Sequence, residues 1–216
     1  MARRALVEHR PWLLAGLIAA TAYYVLQGNI LVEPIEIVLK GAGVGFLAIY
    51  AWRRAPGVDG AIIALALALS SLADMALVLS LEVGGGLFAL SHLAAITLYF
   101  RNRREVTSIS QRLLAIALLI AAPAFSYILT SDVVIAAYGV TLGAMAAAAW
   151  MSRFPRYRVG IGAVLFVVSD WLIFSQMGPY DLGSLPEWLI WPLYFAGQLM
   201  IATGVVQTLR GEKPVP

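Results

Sequence analysis

Eight long apolar stretches dominate this sequence and decide what the chain can fold into. A membrane-spanning helix needs roughly 20 mostly apolar residues, with a range of about 17–25. Breakers such as Glu33-Pro34 and Gly178-Pro179 separate the stretches, and the connections are short. We therefore predict an all-α polytopic membrane protein, with eight transmembrane helices in one compact bundle and a single integral membrane domain over residues 1–216. The predicted helices cover approximately residues 12–27, 35–52, 60–80, 84–100, 113–129, 133–151, 159–175 and 188–209.

The composition excludes several classes of protein. Charged residues make up 12% of the chain and hydrophobic residues 61%, whereas a soluble domain is about 25% charged. The absence of cysteine excludes disulfides, thiolate metal sites and cysteine nucleophiles. His9 and His92 are the only histidines, too few for a three-histidine zinc site. We expect neither a metal nor a cofactor.

The first apolar stretch has the length of a signal-peptide core, but no small-residue cleavage site follows it. Gln27-Gly28-Asn29 is instead typical of a loop. We therefore expect the stretch to remain as the first transmembrane helix.

Basic residues fall on alternate connections of the predicted helices. All but one of the 15 lysines and arginines lie on one side, and the other side carries only acids. The positive-inside rule then places both termini in the cytoplasm. We expect a multi-pass protein of a bacterial inner membrane, with arginines that set topology and touch anionic headgroups rather than nucleic acid. The basic residues on that side are Arg3, Arg4, Arg10, Arg53, Arg54, Arg101, Arg103, Arg104, Arg112, Arg153, Arg156, Arg158, Arg210 and Lys213.

Polar residues inside the helices are the candidates for function. Ionisable groups at membrane depth usually face the bundle interior or a wet cavity. Because a helix rises 1.5 Å per residue, polar residues from five different helices lie roughly 8–15 Å below the outer ends of those helices. We therefore expect one polar chamber in the outer half of the membrane. The spacing also pairs Glu36 with Lys40 and places Ser70 beside Asp74 on one helix face. The candidates are Glu36, Lys40, Ser70, Asp74, His92, Asp170, Tyr194 and Gln198.

Structural interpretations compete with functional ones for most of these residues. Glu36 and Lys40 could be a self-neutralised pair that holds helices together, His92 a hydrogen-bonded packing residue, and Gln198 an interhelical contact. Asp74 and Asp170 favour function, since neither has a basic neighbour one turn away. Four outer tyrosines indicate an interfacial belt or the lining of a mouth: Tyr23, Tyr24, Tyr127 and Tyr138. The glycine-rich run at 41–45 predicts a helix-packing surface. The glycine run at 84–86 predicts a loop at the start of a helix.

Four segments in order carry a recognisable pattern: Leu69-Ser70-Ser71-Leu72-Ala73-Asp74, Phe88-Ala89-Leu90-Ser91-His92-Leu93 with Tyr99 following, Gly162-Ala163-Val164-Leu165-Phe166-Val167-Val168-Ser169-Asp170, and Tyr194-Phe195-Ala196-Gly197-Gln198. Together they resemble the YhhN / lysoplasmalogenase family of integral membrane proteins, over most of the chain. Two positions depart from the family pattern. Ala73 stands where the family commonly has glycine, and Gly41 follows Lys40 where it commonly has proline.

The resemblance implies hydrolysis of the vinyl ether bond of lysoplasmalogens to a fatty aldehyde and a glycerophospho-base. Such a reaction begins with a proton delivered to the enol carbon, after which water adds to the oxocarbenium ion. One protonated carboxyl and one carboxylate suffice, as in a glycosidase. We assign these roles to Asp74 and Asp170 jointly. Six further residues would bind or orient substrate or water: Glu36, Lys40, Ser70, His92, Tyr194 and Gln198.

Two other functions remain open at this stage: a proton-coupled small-molecule transporter, and a lipid-binding protein without catalysis. The expected partners are a lysophospholipid substrate and membrane lipids. The sequence leaves open the headgroup, the lipid entry route, the oligomeric state and which aspartate is the acid. It also leaves open what Ala73 and Gly41 do to activity.

Overall fold

A computed structural model describes residues 10–27 and 32–211, and throughout these ranges the regular structure is helical. Residues such as Gly28, Asn29, Arg3 and Lys213 lie outside the described ranges. The helices are α1 (Arg10–Leu26), α2 (Glu33–Arg54), α3 (Gly57–Leu77), α4 (Leu81–Arg101), α5 (Ile109–Thr130), α6 (Val133–Met151), α7 (Ile161–Ser175) and α8 (Leu185–Leu209).

The lengths and hydropathy of these helices are those of membrane spans. Within the described ranges, seven helices have the length and apolar composition needed to cross a bilayer, when α7 is counted together with the helical turn Arg156–Gly160 that leads into it, and α1 is a shorter apolar helix of 17 residues. The expectation of an all-α fold with eight helices is confirmed. The chain is a multi-pass membrane protein.

The start of α4 differs from the prediction. The triplet 84–86 does not form a helix-start loop, because α4 already begins at Leu81. Ser80 precedes the helix and its Oγ accepts a hydrogen bond from the Val83 N–H at 3.3 Å, as an N-cap residue does. Gly84 then packs so closely on Leu77 of α3 that a Cβ would lie 2.5 Å from its Cδ2. The glycine serves a helix contact rather than a turn.

The entry into α7 also has a local cause. Pro155 is followed by a π-helical turn, Arg156–Gly160, which runs directly into α7. A Cβ at Gly160 would overlap the ring of Trp150 on α6. Glycine at position 160 therefore allows the π-helical turn to approach α6. Helix α7 begins at Ile161, two residues later than the predicted start at 159.

The chain divides into two compact units. The first contains the described residues up to Ala94 and from Ala202 onward, and the second contains Ala95–Ile201. Helices α4 and α8 each continue from one unit into the other. The single domain over residues 1–216 stays a prediction.

The first unit confirms the predicted packing surface at 41–45. Gly41 and Gly45 of α2 meet Ser71 of α3, and a Cβ at Gly16 of α1 would lie 3.0 Å from the Gly43 carbonyl oxygen. Small residues let helix backbones approach closely in membranes. Helix α2 is thereby held between α1 and α3.

The second unit is built on the α5–α6 pair. Gly139 and Gly143 of α6 pack against Pro123 and Leu118 of α5, and a Cβ at Gly143 would lie 2.8 Å from the Leu118 carbonyl oxygen. Helix α5 begins with a capping box in which Ser108 and Gln111 satisfy each other's backbone N–H groups. Helix α7 packs against both members of this pair.

A polar link joins the connection after α4 to the connection after α6, both in the second unit. The backbone N–H of Arg153 donates to the Asn102 carbonyl oxygen at 2.7 Å, and Arg153 Nε donates to Asn102 Oδ1 at 2.7 Å. Arg104 N–H donates in the same region to the Met151 carbonyl oxygen at 3.1 Å. Asn102 is buried, so the link is shielded from competing water.

Candidate active site

The predicted site residues fall into two groups, one in each unit. The first unit contains Glu36, Lys40, Ser70, Asp74 and His92, and the second contains Tyr194, Gln198 and Asp170. Both aspartates are buried, Asp74 with 2% and Asp170 with 4% of its surface exposed. A carboxyl group this deep in an apolar helix needs polar partners, and each aspartate has a different kind.

Asp74 is paired electrostatically with a lysine from the neighbouring helix. Lys40 is half-buried on α2, and both Asp74 and Glu36 act on its ammonium group. Glu36 is the neighbour expected from the spacing along α2. The Asp74 carboxyl comes from α3, so spacing within one helix could not indicate its effect on Lys40.

An aromatic ring from α1 completes this group. The Nζ atom of Lys40 lies 5.9 Å from the centroid of the Tyr23 ring, which is 6% exposed. A ring at this distance attracts a cation through its negative face. Tyr23 is thus a buried neighbour of Lys40 and not part of an exposed interfacial belt.

The residue after Lys40 fixes α2 against α3. Ser71 Oγ donates to the Gly41 carbonyl oxygen at 2.7 Å. A Cβ at position 41 would overlap the side chain of Met75. Glycine at position 41 therefore leaves room for Met75, and Lys40 lies one residue from this helix contact.

Ser70 and His92 lie at the contact of α3 with the first part of α4. Ser91 Oγ donates to the Ala66 carbonyl oxygen at 2.8 Å, and the Ser70 and Ser91 hydroxyls form a hydrogen bond of 2.8 Å. His92 is 1% exposed, and its ring centroid lies 6.5 Å from that of Phe88. The hydrogen bond between Ser70 and Ser91 thus joins α3 to α4, next to the buried His92.

Asp170 has a neutral partner. The Tyr138 hydroxyl on α6 donates to Asp170 Oδ2 at 2.7 Å. The Tyr138 ring is held in turn by Phe174, one turn after Asp170, with centroids 5.8 Å apart and the planes at 89°. Edge-to-face rings at this separation attract each other. The phenol is therefore fixed on the same helix face as the carboxyl that it binds.

The neighbours of Asp170 fasten α7 on both sides. Ser169 Oγ donates to the Ile190 carbonyl oxygen on α8 at 3.0 Å. Trp171 Nε1 donates to the Ala122 carbonyl oxygen on α5 at 3.4 Å. With hydrogen bonds from the residues before and after it, Asp170 sits on a fixed part of the helix.

Tyr194 and Gln198 stand at the closest crossing of α7 with α8. A Cβ at Gly197 would lie 2.6 Å from the Gly162 carbonyl oxygen, so this crossing tolerates only glycine. Tyr194 is buried and packs edge-on against Phe166, with centroids 5.2 Å apart at 76°. Gln198 is 3% exposed. The motif glycines place these polar side chains inside the second unit.

The YhhN family model matches residues 35–205. The chain belongs to the YhhN family. No curated protein and no solved structure matches it. The YhhN match contains both aspartates and all the predicted site residues, but it begins after α1. Tyr23 is therefore supplied to Lys40 by a helix outside the YhhN match.

Sequence reasoning missed the role of two tyrosines. Tyr23 and Tyr138 were expected in an interfacial belt or at a mouth, yet one faces Lys40 and the other binds Asp170. Each contact joins two helices, so no spacing within one helix indicates it. Over the ranges that the structure covers, no group of three His, Cys, Asp or Glu side chains is arranged to hold a metal ion.

Proposed function

We propose that this YhhN protein is a membrane-embedded hydrolase that cleaves the vinyl ether bond of lysoplasmalogen-type lysophospholipids. The observation that carries the proposal is the buried Asp170 carboxyl bound by Tyr138 inside the most specific YhhN motif of this chain. A buried carboxyl with a phenol partner is a suitable proton donor to carbon. Protonation of the enol carbon is the step that a vinyl ether requires.

The two aspartates differ in surroundings, and this difference suggests their roles. Asp74 lies in the field of the Lys40 ammonium, which favours a carboxylate that accepts a proton from water. Asp170 binds a neutral hydroxyl through Oδ2, and its other oxygen is the position for a transferable proton. We assign Asp170 as the general acid and Asp74 as the general base.

The proposed reaction consumes water and restores both acids. Asp170 gives its proton to the enol carbon, whose double-bond electrons form the new C–H bond and leave an oxocarbenium ion. Water adds to this ion as Asp74 takes a proton, which gives a hemiacetal. When the hemiacetal collapses, Asp170 takes the hydroxyl proton and Asp74 returns its proton to the departing glycerol oxygen. The products are a fatty aldehyde and a glycerophospho-base.

The remaining site residues support these two acids. Lys40 and Glu36 set the charge around Asp74, and Ser70 and His92 are proposed to orient substrate or water in the first unit. Tyr194 and Gln198 are proposed to do the same in the second. The partners are a lysophospholipid substrate and the surrounding lipids.

We further propose the inner membrane of a bacterium as the location, with both termini in the cytoplasm. Arginines follow α2, α4, α6 and α8, and the intervening connections carry acids such as Asp132 and Asp181. The positive-inside rule supports this orientation.

Aldehyde release from a lysoplasmalogen by the detergent-purified protein tests the activity. We expect turnover by the wild-type chain and a loss of at least ~100-fold in Asp170→Asn and in Asp74→Asn, since each removes a proton-transfer group. Glu105→Gln is the matched control, because Glu105 is an exposed acid in the loop after α4. Lipid that binds but stays unchanged would indicate a binding protein. Proton-coupled uptake into proteoliposomes without aldehyde release would indicate a transporter.

A further inference from the structure

The connections after α4 and after α6 form an arginine-rich surface of the second unit. Residues 101–112 and 152–160 together contain seven arginines and one acid, Glu105. An excess of basic residues beside membrane spans sets the orientation of a chain in the bilayer, and charge alone is enough for that purpose. The arrangement of two of these side chains, Arg104 and Arg153, is more specific.

A short antiparallel bridge between the two connections fixes these arginines relative to each other. On one side of the bridge the Arg104 N–H donates to the Met151 carbonyl oxygen, and on the other the Arg153 N–H donates to the Asn102 carbonyl oxygen. Arg153 thus stands opposite Asn102, and Arg104 lies two residues further along. Diagonal neighbours of this kind are roughly 7–8 Å apart, so the bridge keeps two positively charged residues close together.

Each guanidinium group is also held through its Nε atom. Arg153 Nε donates to Asn102 Oδ1 at 2.7 Å, and the guanidinium carbon lies 5.8 Å from the centroid of the buried Phe154 ring. Arg104 Nε donates to the Ser152 carbonyl oxygen at 3.4 Å. Within residues 10–27 and 32–211, no group accepts a hydrogen bond from the terminal nitrogens of either arginine. Two sets of donors are therefore held in place and are available to a ligand.

A phosphate group matches this pair of arginines. The planar guanidinium group presents its donors in a fixed fork that fits the oxygens of a phosphate. A negative charge between two guanidinium groups also offsets their mutual repulsion. Because the bridge and the Nε hydrogen bonds already order the two side chains, little conformational entropy is lost when an anion binds.

The surroundings favour a phosphate that belongs to a lipid. Arg104 follows α4 and Arg153 follows α6, at the level where a membrane span reaches the headgroups. Phe100 in the last turn of α4 is 66% exposed, and Tyr157 in the turn before α7 is 68% exposed. Aromatic side chains are typical of the boundary between water and the apolar part of a bilayer. An anion with an apolar body therefore suits this surface better than a small soluble anion does.

We propose that Arg104 and Arg153 bind the phosphate of an anionic phospholipid of the phosphatidylglycerol type. In phosphatidylcholine a quaternary ammonium group follows the phosphate, and the paired arginines repel it. The anionic lipid is a partner separate from the substrate, so its binding does not depend on the proposed hydrolysis.

Binding of short-chain lipids to the detergent-purified protein, measured by native mass spectrometry, tests the proposal. The probes are dioctanoyl phosphatidylglycerol and dioctanoyl phosphatidylcholine, and we expect the first to bind more tightly. In Arg104→Gln its Kd should rise about fivefold, the effect of losing one basic residue beside an anionic lipid. Arg53→Gln is the matched control, because Arg53 is an exposed arginine at the end of α2. It should leave the Kd of both lipids unchanged.

Arg104→Lys separates the geometry of the site from its charge. Lysine keeps the positive charge but lacks the planar fork, so the Kd for phosphatidylglycerol should still rise, by about threefold. An unchanged Kd in Arg104→Lys, equal affinities of the wild type for the two lipids, or equal losses in Arg53→Gln and Arg104→Gln would overturn the proposal. Displacement of phosphatidylglycerol by an equal concentration of inorganic phosphate would indicate a site for a soluble anion and would overturn the assignment to a lipid.

Discussion

The hydroxyl of Tyr138 donates a 2.7 Å hydrogen bond to Oδ2 of Asp170, and so joins α6 to α7 at a buried carboxyl group. The phenol and the carboxyl come from helices whose facing residues could not be paired from the sequence. In the proposed reaction this bond fixes the acid that protonates the substrate. Tyr138 is therefore a positioning residue, and its effect should be visible in turnover.

Removing only the hydroxyl of Tyr138 tests this role. Tyr138→Phe keeps the ring contact with Phe174 but deletes the bond to Asp170. We expect kcat to fall by about 10- to 100-fold with little change in KM, because substrate binding is retained while proton transfer is misaligned. A thermal melt of the variant in detergent serves as the folding control. A change confined to KM would contradict the positioning role.

The relation between Lys40 and the two nearby carboxylates gives a second prediction. Because the Asp74 carboxyl of α3 acts on the Lys40 ammonium of α2, Lys40→Met and Asp74→Asn should be coupled. We expect a coupling free energy of about 0.5–3 kcal/mol in a double-mutant cycle of unfolding, the range for residues of one charged network. The double variant should be more stable than the sum of the single effects predicts.

Glu36→Gln is the matched comparison for that cycle. It removes the i, i+4 neighbour of Lys40 on α2 and should couple to Lys40→Met more weakly than Asp74→Asn does. Strictly additive effects of Lys40→Met and Asp74→Asn would contradict the pairing of α2 with α3 through these charges.

Two glycines in different helices, Gly197 in α8 and Gly85 in α4, are expected to respond oppositely to substitution by alanine. Gly197→Ala places a Cβ 2.6 Å from the Gly162 carbonyl oxygen and should destabilise the fold by about 1–3 kcal/mol through overpacking. Gly85→Ala meets nothing within 4 Å in α4 and should stabilise the helix by about 0.5–1 kcal/mol. Unfolding in detergent measures both, and a loss of stability in Gly85→Ala would show that the open side of Gly85 is needed for packing.

The absence of native cysteine makes the proposed orientation simple to test. Single cysteines at Val106 and Ser184 occupy exposed positions in the loops after α4 and after α7. In intact cells a membrane-impermeant maleimide should label Ser184→Cys and not Val106→Cys. After the membrane is opened, it should label both. The reverse pattern would place the arginine-bearing connections outside.

The helices were predictable because each one is a long apolar stretch whose ends carry polar or helix-breaking residues. For α6 the predicted and observed bounds are the same, since Asp132 caps its first turn through the Val134 and Ile135 N–H groups. The triplet 84–86 misled the prediction because glycine marks a turn in water but a close helix contact in a membrane protein. Of the three glycines only Gly84 makes such a contact, with Leu77 at the end of α3.

The candidate site was predictable only in its residue types. Buried acids stand out in apolar helices, so Asp74 and Asp170 could be named from the sequence. Their partners could not, because Lys40 and Tyr138 reach them from other helices, at 34 and 32 positions along the chain respectively. The partner of Ser70 could not be predicted either, because its hydroxyl binds Ser91 on the next helix, α4.

The link between Asn102 and Arg153 bears on how the protein is made. It closes a section of chain that contains all of α5 and α6, and its backbone–backbone and side chain–side chain hydrogen bonds require the connections at both ends to emerge on the same face of the bilayer. A biosynthetic intermediate with α5 inserted and α6 still outside holds the two partners on opposite faces. The hydrogen bonds therefore form after the hairpin has been delivered by the insertion machinery, and they oppose its withdrawal from the lipid.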